Sequence, residues 1–268
     1  MRKALTLLVT AVALCWPGAA SAGDFQKGLD AAQVGDYATA LHEFRDLANE
    51  GHAGAQSLLG SMYSKGLGVI QDYAEAVRWF RLAAEHENAD AQFNLGVAYA
   101  KGHGVTQNYA EAMRWFRLAA QQGDAAAQLN LGTMYAKGRG VTQDYADAVK
   151  WLRLAAEQGN AKAQYNLGQM YKQGRGITQD YAEAVKWWRL AAQQGDAAAQ
   201  VQLGGMYAVG RGVSTDIVLA HMWYNIVAVS GNITAVVNRE YLETKMTQTQ
   251  IAEAQKMARE WVEKHQAQ

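Results

Sequence analysis

Two rows of side chains recur in this sequence at a spacing that could do chemistry. Asn94, Asn130 and Asn166 form an amide row, and Lys65, Lys101 and Lys137 a cationic one. Both step by 36 residues, and Lys172 continues the lysines one residue early. Amides donate to and accept from a peptide backbone, lysines attract carboxylates, and the adjacent Phe93 and Tyr165 could anchor a side chain. The combination suits an extended peptide or an acidic chain end. The asparagines could equally bond one another between neighbouring helices and hold a stack in register, and the sequence leaves both readings open.

Catalytic signals are thin. The histidines (His42, His52, His86, His103, His221, His265) show no short metal-ligand spacing such as H-x-x-x-H. No S-x-x-K occurs, and Ser57, Ser61 and Ser64 have no histidine with an evident reason to meet them. The G-x-G loops follow helical rather than strand patterns, so they read as turns and not as phosphate cradles. No enzyme activity, cofactor or metal is expected. Pairs such as Arg78/Arg81 and Lys150/Arg153 follow an acidic residue three positions before the first of each pair, the pattern of a charge-paired solvated face. Arg139, Arg175 and Arg211 share one loop position, where they could solvate the turn or meet a partner at the rim.

The elements that must position these rows are legible in the same period. Ala-Gln stands at Ala55-Gln56, Ala91-Gln92, Ala127-Gln128, Ala163-Gln164 and Ala199-Gln200, and Trp79, Trp115, Trp151, Trp187 and Trp223 keep the same step. A fixed period of this length marks stacked supersecondary units, none able to bury its apolar face alone. First helices are expected over 53–65, 89–101, 125–137, 161–173 and 197–209. Asn88, Asp124, Asn160 and Asp196 are positioned as N-caps, with Gly66, Gly102, Gly138, Gly174 and Gly210 at the left-handed stop. A second glycine two residues on suggests another permissive backbone position. Second helices open with Asp72-x-x-Glu75 and its counterparts, which resemble capping boxes. Tyr73, Ala76, Val77, Phe80 and Ala84 then supply an amphipathic stripe.

The ends differ. Arg2-Lys3, the apolar run Ala4–Trp16 and Ala20-Ser21-Ala22 have the order of a secretory signal, so residues 1–22 are expected to leave with the only cysteine, Cys15. Residues 23–52 read as a shortened tetratricopeptide-like unit, 53–231 as five 36-residue units, and 232–268 as capping helices. The 268 residues balance 25 basic against 25 acidic side chains, which argues against a nucleic-acid or polybasic membrane role. The single proline fits long helical runs.

The pattern A-Q-x-x-L-G-x-x-Y-x-x-G-x-G-V-x-x-D-Y-x-x-A-x-x-W resembles the Sel-like repeat (SLR) family of the tetratricopeptide superfamily, over about residues 53 to 231. The resemblance implies an all-α fold, a right-handed α-solenoid superhelix of stacked antiparallel helix pairs. It further implies a binding scaffold, frequently exported in bacteria, whose first helices line the concave face. The expected protein is therefore a periplasmic or secreted monomer, with no membrane insertion after signal cleavage and no nucleic acid bound. It would hold a protein or peptide against Asn94, Asn130, Asn166, Lys65, Lys101, Lys137, Phe93 and Tyr165. A second implied reading is a hydrolase acting on cell wall or β-lactams, as described for cysteine-rich secreted relatives. This chain lacks their cysteine pair in each repeat.

Overall fold

The computed structural model describes residues 22–266, so the expected signal segment up to residue 21 lies outside the described residues. Those residues form α1 (Ala22–Val34), α2 (Tyr37–Asn49), α3 (Ala53–Lys65), α4 (Tyr73–Glu85), α5 (Ala89–Lys101), α6 (Tyr109–Gln121) and α7 (Ala125–Lys137). They continue through α8 (Tyr145–Glu157), α9 (Ala161–Gln173), α10 (Tyr181–Gln193), α11 (Ala197–Val209), α12 (Ile217–Ala228), α13 (Ile233–Glu243) and α14 (Gln248–Gln266). No strand occurs among them. The first helices α3, α5, α7, α9 and α11 have the bounds that the caps and glycine stops dictate.

Two compact units result. The first runs to Ala127 and takes in Arg139–Val141; the second comprises Gln128–Gly138 and the chain from Thr142 onward. In the first, α1 pairs with α2, α3 with α4 and α5 with α6, and α2 packs on α3 as α4 does on α5. In the second, α8 through α12 each pack on the next, and α12 receives both α13 and α14. This neighbour-to-neighbour stacking is that of an α-solenoid. Phe44, Leu59, Met62 and Trp79 fill one core of the first unit, and Val185, Trp188, Leu203 and Trp223 one core of the second. Close approach depends on small residues. At Gly168 an added Cβ would lie 2.5 Å from the Trp188 Nε1, so no larger residue fits against that ring.

The capping boxes form only in part. Asp72 accepts the N–H groups of Ala74 and Glu75 at 2.8 and 3.0 Å, but Glu75 does not reach back. It accepts from the Arg78 Nε at 2.9 Å, and Lys150–Asp147 and Lys186–Glu183 repeat the pairing at 2.8 and 3.1 Å. Two carboxylates at one terminus would repel, whereas a basic residue one turn along is a complementary neighbour. The charge-paired reading of the second helices is thus what these residues show.

His52 takes the N-cap place that Asn or Asp fills elsewhere, its Nδ1 accepting from the Ala55 N–H at 3.1 Å while its ring stacks on Phe25. Burial lowers its pKa below the ordinary 6.5, offset in part by a backbone hydrogen bond. A protonated Nδ1 cannot accept, so the folded state disfavours the proton. The cap's stabilisation is full above the unfolded-chain value and fades as pH falls through the lower folded value. Melting curves between about pH 8 and about pH 5 should show wild type losing more stability than His52→Asn.

The register is held by the glutamines of the Ala-Gln pairs, all of them buried. Gln164 donates from Nε2 to the Ala156 carbonyl at 3.1 Å, and its Oε1 accepts from Gln194 at 2.9 Å. Gln92 makes the equivalent bonds to Ala84 and Gln122. Gln56 donates to Ala48, but its Oε1 is buried with no partner, because the residue in the place of Gln122 is His86. The next residue, Glu87, has φ 57 where Gly123, Gly159 and Gly195 stand in the other units. An orphaned buried acceptor costs about 1–3 kcal/mol and a left-handed non-glycine residue about 1–2. His86→Gln with Glu87→Gly is therefore expected to stabilise the protein by roughly 2 kcal/mol, read from denaturant midpoints at unchanged slope.

Candidate partner-binding wall

In the first unit the predicted residues sit on α3 and α5. Lys65 and Lys101 are exposed, and Phe93 and Asn94 are half-buried. The Phe93 ring leans on Phe116 at 5.8 Å, which fixes its direction. Asp90 opens the same stripe one turn earlier. It is exposed, yet desolvation by the surrounding protein raises its pKa from its ordinary value, and the Asp124 carboxylate raises it further.

In the second unit, α7 carries Asn130 and the exposed Lys137, and α9 carries Tyr165 and Asn166. Three contacts organise this wall, two of which reach a second helix. Gln169 donates to the Tyr165 hydroxyl at 2.7 Å, and the Trp188 indole N–H donates to the Tyr165 carbonyl at 3.1 Å. Lys172 donates to Gln202 of α11 at 2.9 Å. Lys172 is thereby tied to the wall, whereas Lys65, Lys101 and Lys137 reach solvent. The side chains of Asn94 and Asn166 have no hydrogen-bond partner among the described residues. The glutamines of the Ala-Gln pairs, by contrast, bond from one helix to the next.

Several other basic residues are engaged elsewhere. Arg81, Arg153 and Arg189 donate to the hydroxyls of Tyr99, Tyr171 and Tyr207 at 3.0–3.2 Å, tying second helices to the first helices that follow. The loop residues Arg139, Arg175 and Arg211 lie 5.3–5.8 Å above the rings of Tyr109, Tyr145 and Tyr181, close enough for cation–π attraction. At the same loop position the His103 ring packs on that of Tyr73, tilted, with centroids 4.5 Å apart. Each tyrosine is also held by a loop glutamine, as Gln143 donates to the Tyr145 hydroxyl at 3.0 Å. Among the described residues no three His, Cys, Asp or Glu side chains converge to hold a metal, and no helix is long and apolar enough to cross a membrane.

The Sel1 repeat model matches five consecutive segments, residues 53–88, 89–124, 125–160, 161–196 and 197–228. The chain belongs to the Sel1 repeat family. A Sel1 repeat protein from Oxalobacter formigenes, whose crystal structure is solved, is 37% identical; the match covers 79% of this chain and 87% of that one at a TM-score of 0.74. A protective antigen present in uropathogenic Escherichia coli strains is 26% identical over 91% of this chain and 84% of that one, at a TM-score of 0.38. An immunity protein from Pseudomonas aeruginosa is 18% identical over 83% and 85%, at 0.50. No curated protein matches the sequence. A Sel1 repeat solenoid is typical of protein–protein interaction scaffolds, and protein partners follow from the family.

Proposed function

We propose that this Sel1 repeat protein is an exported, monomeric, non-enzymatic scaffold that binds a protein or extended peptide on the concave face of its first helices. The observation that carries this reading is the pair Asn94 and Asn166. Half-buried amides with no partner in the protein leave their donors and acceptors facing solvent, where the backbone of a bound peptide can take the place of water. In the second unit Tyr165, Gln169 and Lys172 flank Asn166 in positions fixed by their own contacts, so little ordering remains to oppose binding.

Asn94→Ala with Asn166→Ala should weaken capture of partners from envelope extract at least tenfold, while the melting temperature barely moves because neither amide holds a protein group. A melting loss as large as that of a core variant would assign the asparagines to folding instead. The order of regions in residues 1–22 supports export, and mass analysis of the mature protein should place its first residue at Gly23. A mature chain beginning at Met1 would reject that part.

A further inference from the structure

The turn between α4 and α5 departs from its counterparts in the later repeats. There an exposed glutamine reaches inward and donates to a buried one: Gln122 to the Gln92 Oε1, Gln158 to Gln128 and Gln194 to Gln164, at 2.8–2.9 Å. In the α4–α5 turn the exposed His86 stands in the donor's place and makes no side-chain hydrogen bond. Gln56 is 4% exposed, and its Oε1 is buried without a donor although its Nε2 holds the Ala48 carbonyl. In every counterpart the donor to this oxygen comes from the exposed side of the turn. The orphaned acceptor of Gln56 therefore aims at the place of His86.

The same turn carries carboxylates without a counter-charge. Glu85, Glu87 and Asp90 are exposed, and none of them pairs with a cation among the described residues. Basic side chains on the surrounding helices are occupied or distant. Arg45 and Arg81 donate to the Tyr63 and Tyr99 hydroxyls, Arg78 and Arg114 pair with Glu75 and Glu111, and Arg117 has a partner within the protein. Lys65 and Lys101 lie at the opposite ends of α3 and α5, about 18 Å along each helix. Desolvation and the Asp124 carboxylate raise the Asp90 pKa, as expected of a carboxylate that lacks a cation. Glu87 holds its charge there at φ 57, where the counterpart turns have glycine.

A buried acceptor beside exposed carboxylates calls for a donor that is itself a cation. Guanidinium meets both needs, because its five N–H groups fan out in one plane and can serve an amide oxygen and carboxylates together. We propose that the α4–α5 turn receives an arginine side chain of a protein partner. The guanidinium displaces the His86 ring, donates to the Gln56 Oε1 and is neutralised by Glu85, Glu87 and Asp90. This adds a site to the first unit and does not depend on the asparagine row.

An array of random dodecapeptides, probed with the wild-type chain and with the His86→Gln, Glu87→Gly double variant, tests it. That variant gives Gln56 a donor from the protein itself and is expected to be more stable than wild type, so lost binding cannot be lost folding. Peptides that respond to the double change should be enriched in arginine. For the strongest of them, replacing the arginine by glutamine should weaken binding by roughly tenfold or more. Glu85→Gln and Asp90→Asn in the protein should each weaken it by roughly threefold, and Glu157→Gln, the counterpart of Glu85 two repeats on, should leave it unchanged. Equal signals from wild type and the double variant, no enrichment in arginine, or an array with no bound sequence would overturn the site. So would an equal loss with Glu157→Gln, which would mean diffuse attraction to acidic helix ends. Peptides lost only with Asn94→Ala and Asn166→Ala would leave the first-helix wall standing and reject this turn.

Discussion

Gly176→Ala is expected to destabilise the protein by roughly 3–5 kcal/mol and to lower its melting temperature by on the order of 10 °C. Gly176 is the second glycine of its loop, with φ +68, and a Cβ there would lie 2.2 Å from both the carbonyl carbon and oxygen of Tyr145. The left-handed conformation alone costs an alanine about 1–2 kcal/mol. The remainder comes from backbone that cannot yield, because Tyr145 opens α8 and is pinned by Gln143 and Arg175. Gly195→Ala is the control. It shares the positive φ, +84, but nothing lies within 4 Å of its Cβ, so only the conformational part should appear. Equal losses in chemical denaturation of the two variants would show that the loop contact has no energetic weight.

The second large effect is expected at Trp188. It is fully buried, its ring covers the face of Gly168, and its indole N–H bonds the Tyr165 carbonyl. Trp188→Ala should cost about 3–5 kcal/mol, since α9 and α10 cannot collapse onto the space left behind. Trp188→Phe keeps much of the ring and loses the hydrogen bond, so it should cost about 1–2 kcal/mol. The two variants also separate packing from positioning. If the indole bond orients Tyr165, Trp188→Phe should weaken peptide binding by more than its small stability loss explains. Binding unchanged in Trp188→Phe would confine the indole to packing.

The helices were readable because their signals are local: an Asn or Asp cap, an apolar stripe and a glycine stop each act within one or two turns. Contacts that depend on a second element were not. The Ala-Gln pair was visible as a marker of the period, but a glutamine's bonds to Ala156 and to Gln194 lie 8 and 30 residues away. The arginines at Arg153 and Arg189 read as one half of a solvated pair, yet their donors reach tyrosines 18 residues on. Beyond Asn232 the letters of the period change within α13. Ala-Gln becomes Ala235-Val236 and Leu-Gly becomes Arg239-Glu240, leaving only Asn232 and Ala235 to mark the register. Its new polar letters serve a separate network, in which the buried His221 meets Glu243 at 3.0 Å and Arg239 bonds Asn225 at 3.3 Å. At the candidate site the identities of Asn166 and Tyr165 were legible, while the contacts that orient Tyr165 come from Gln169 and Trp188.

The glutamine relay has an evolutionary corollary. The bonds from Gln92 to the Ala84 carbonyl, from Gln164 to Ala156 and from Gln200 to Ala192 join a module to the one before it, so each module offers the same donor at its start and the same acceptor at its end. The glutamine-to-glutamine bonds close within a module. Splicing in a further 36-residue module, or cutting one out, leaves the joint chemically identical. Such a lineage can change its length in whole steps without inventing a new interface.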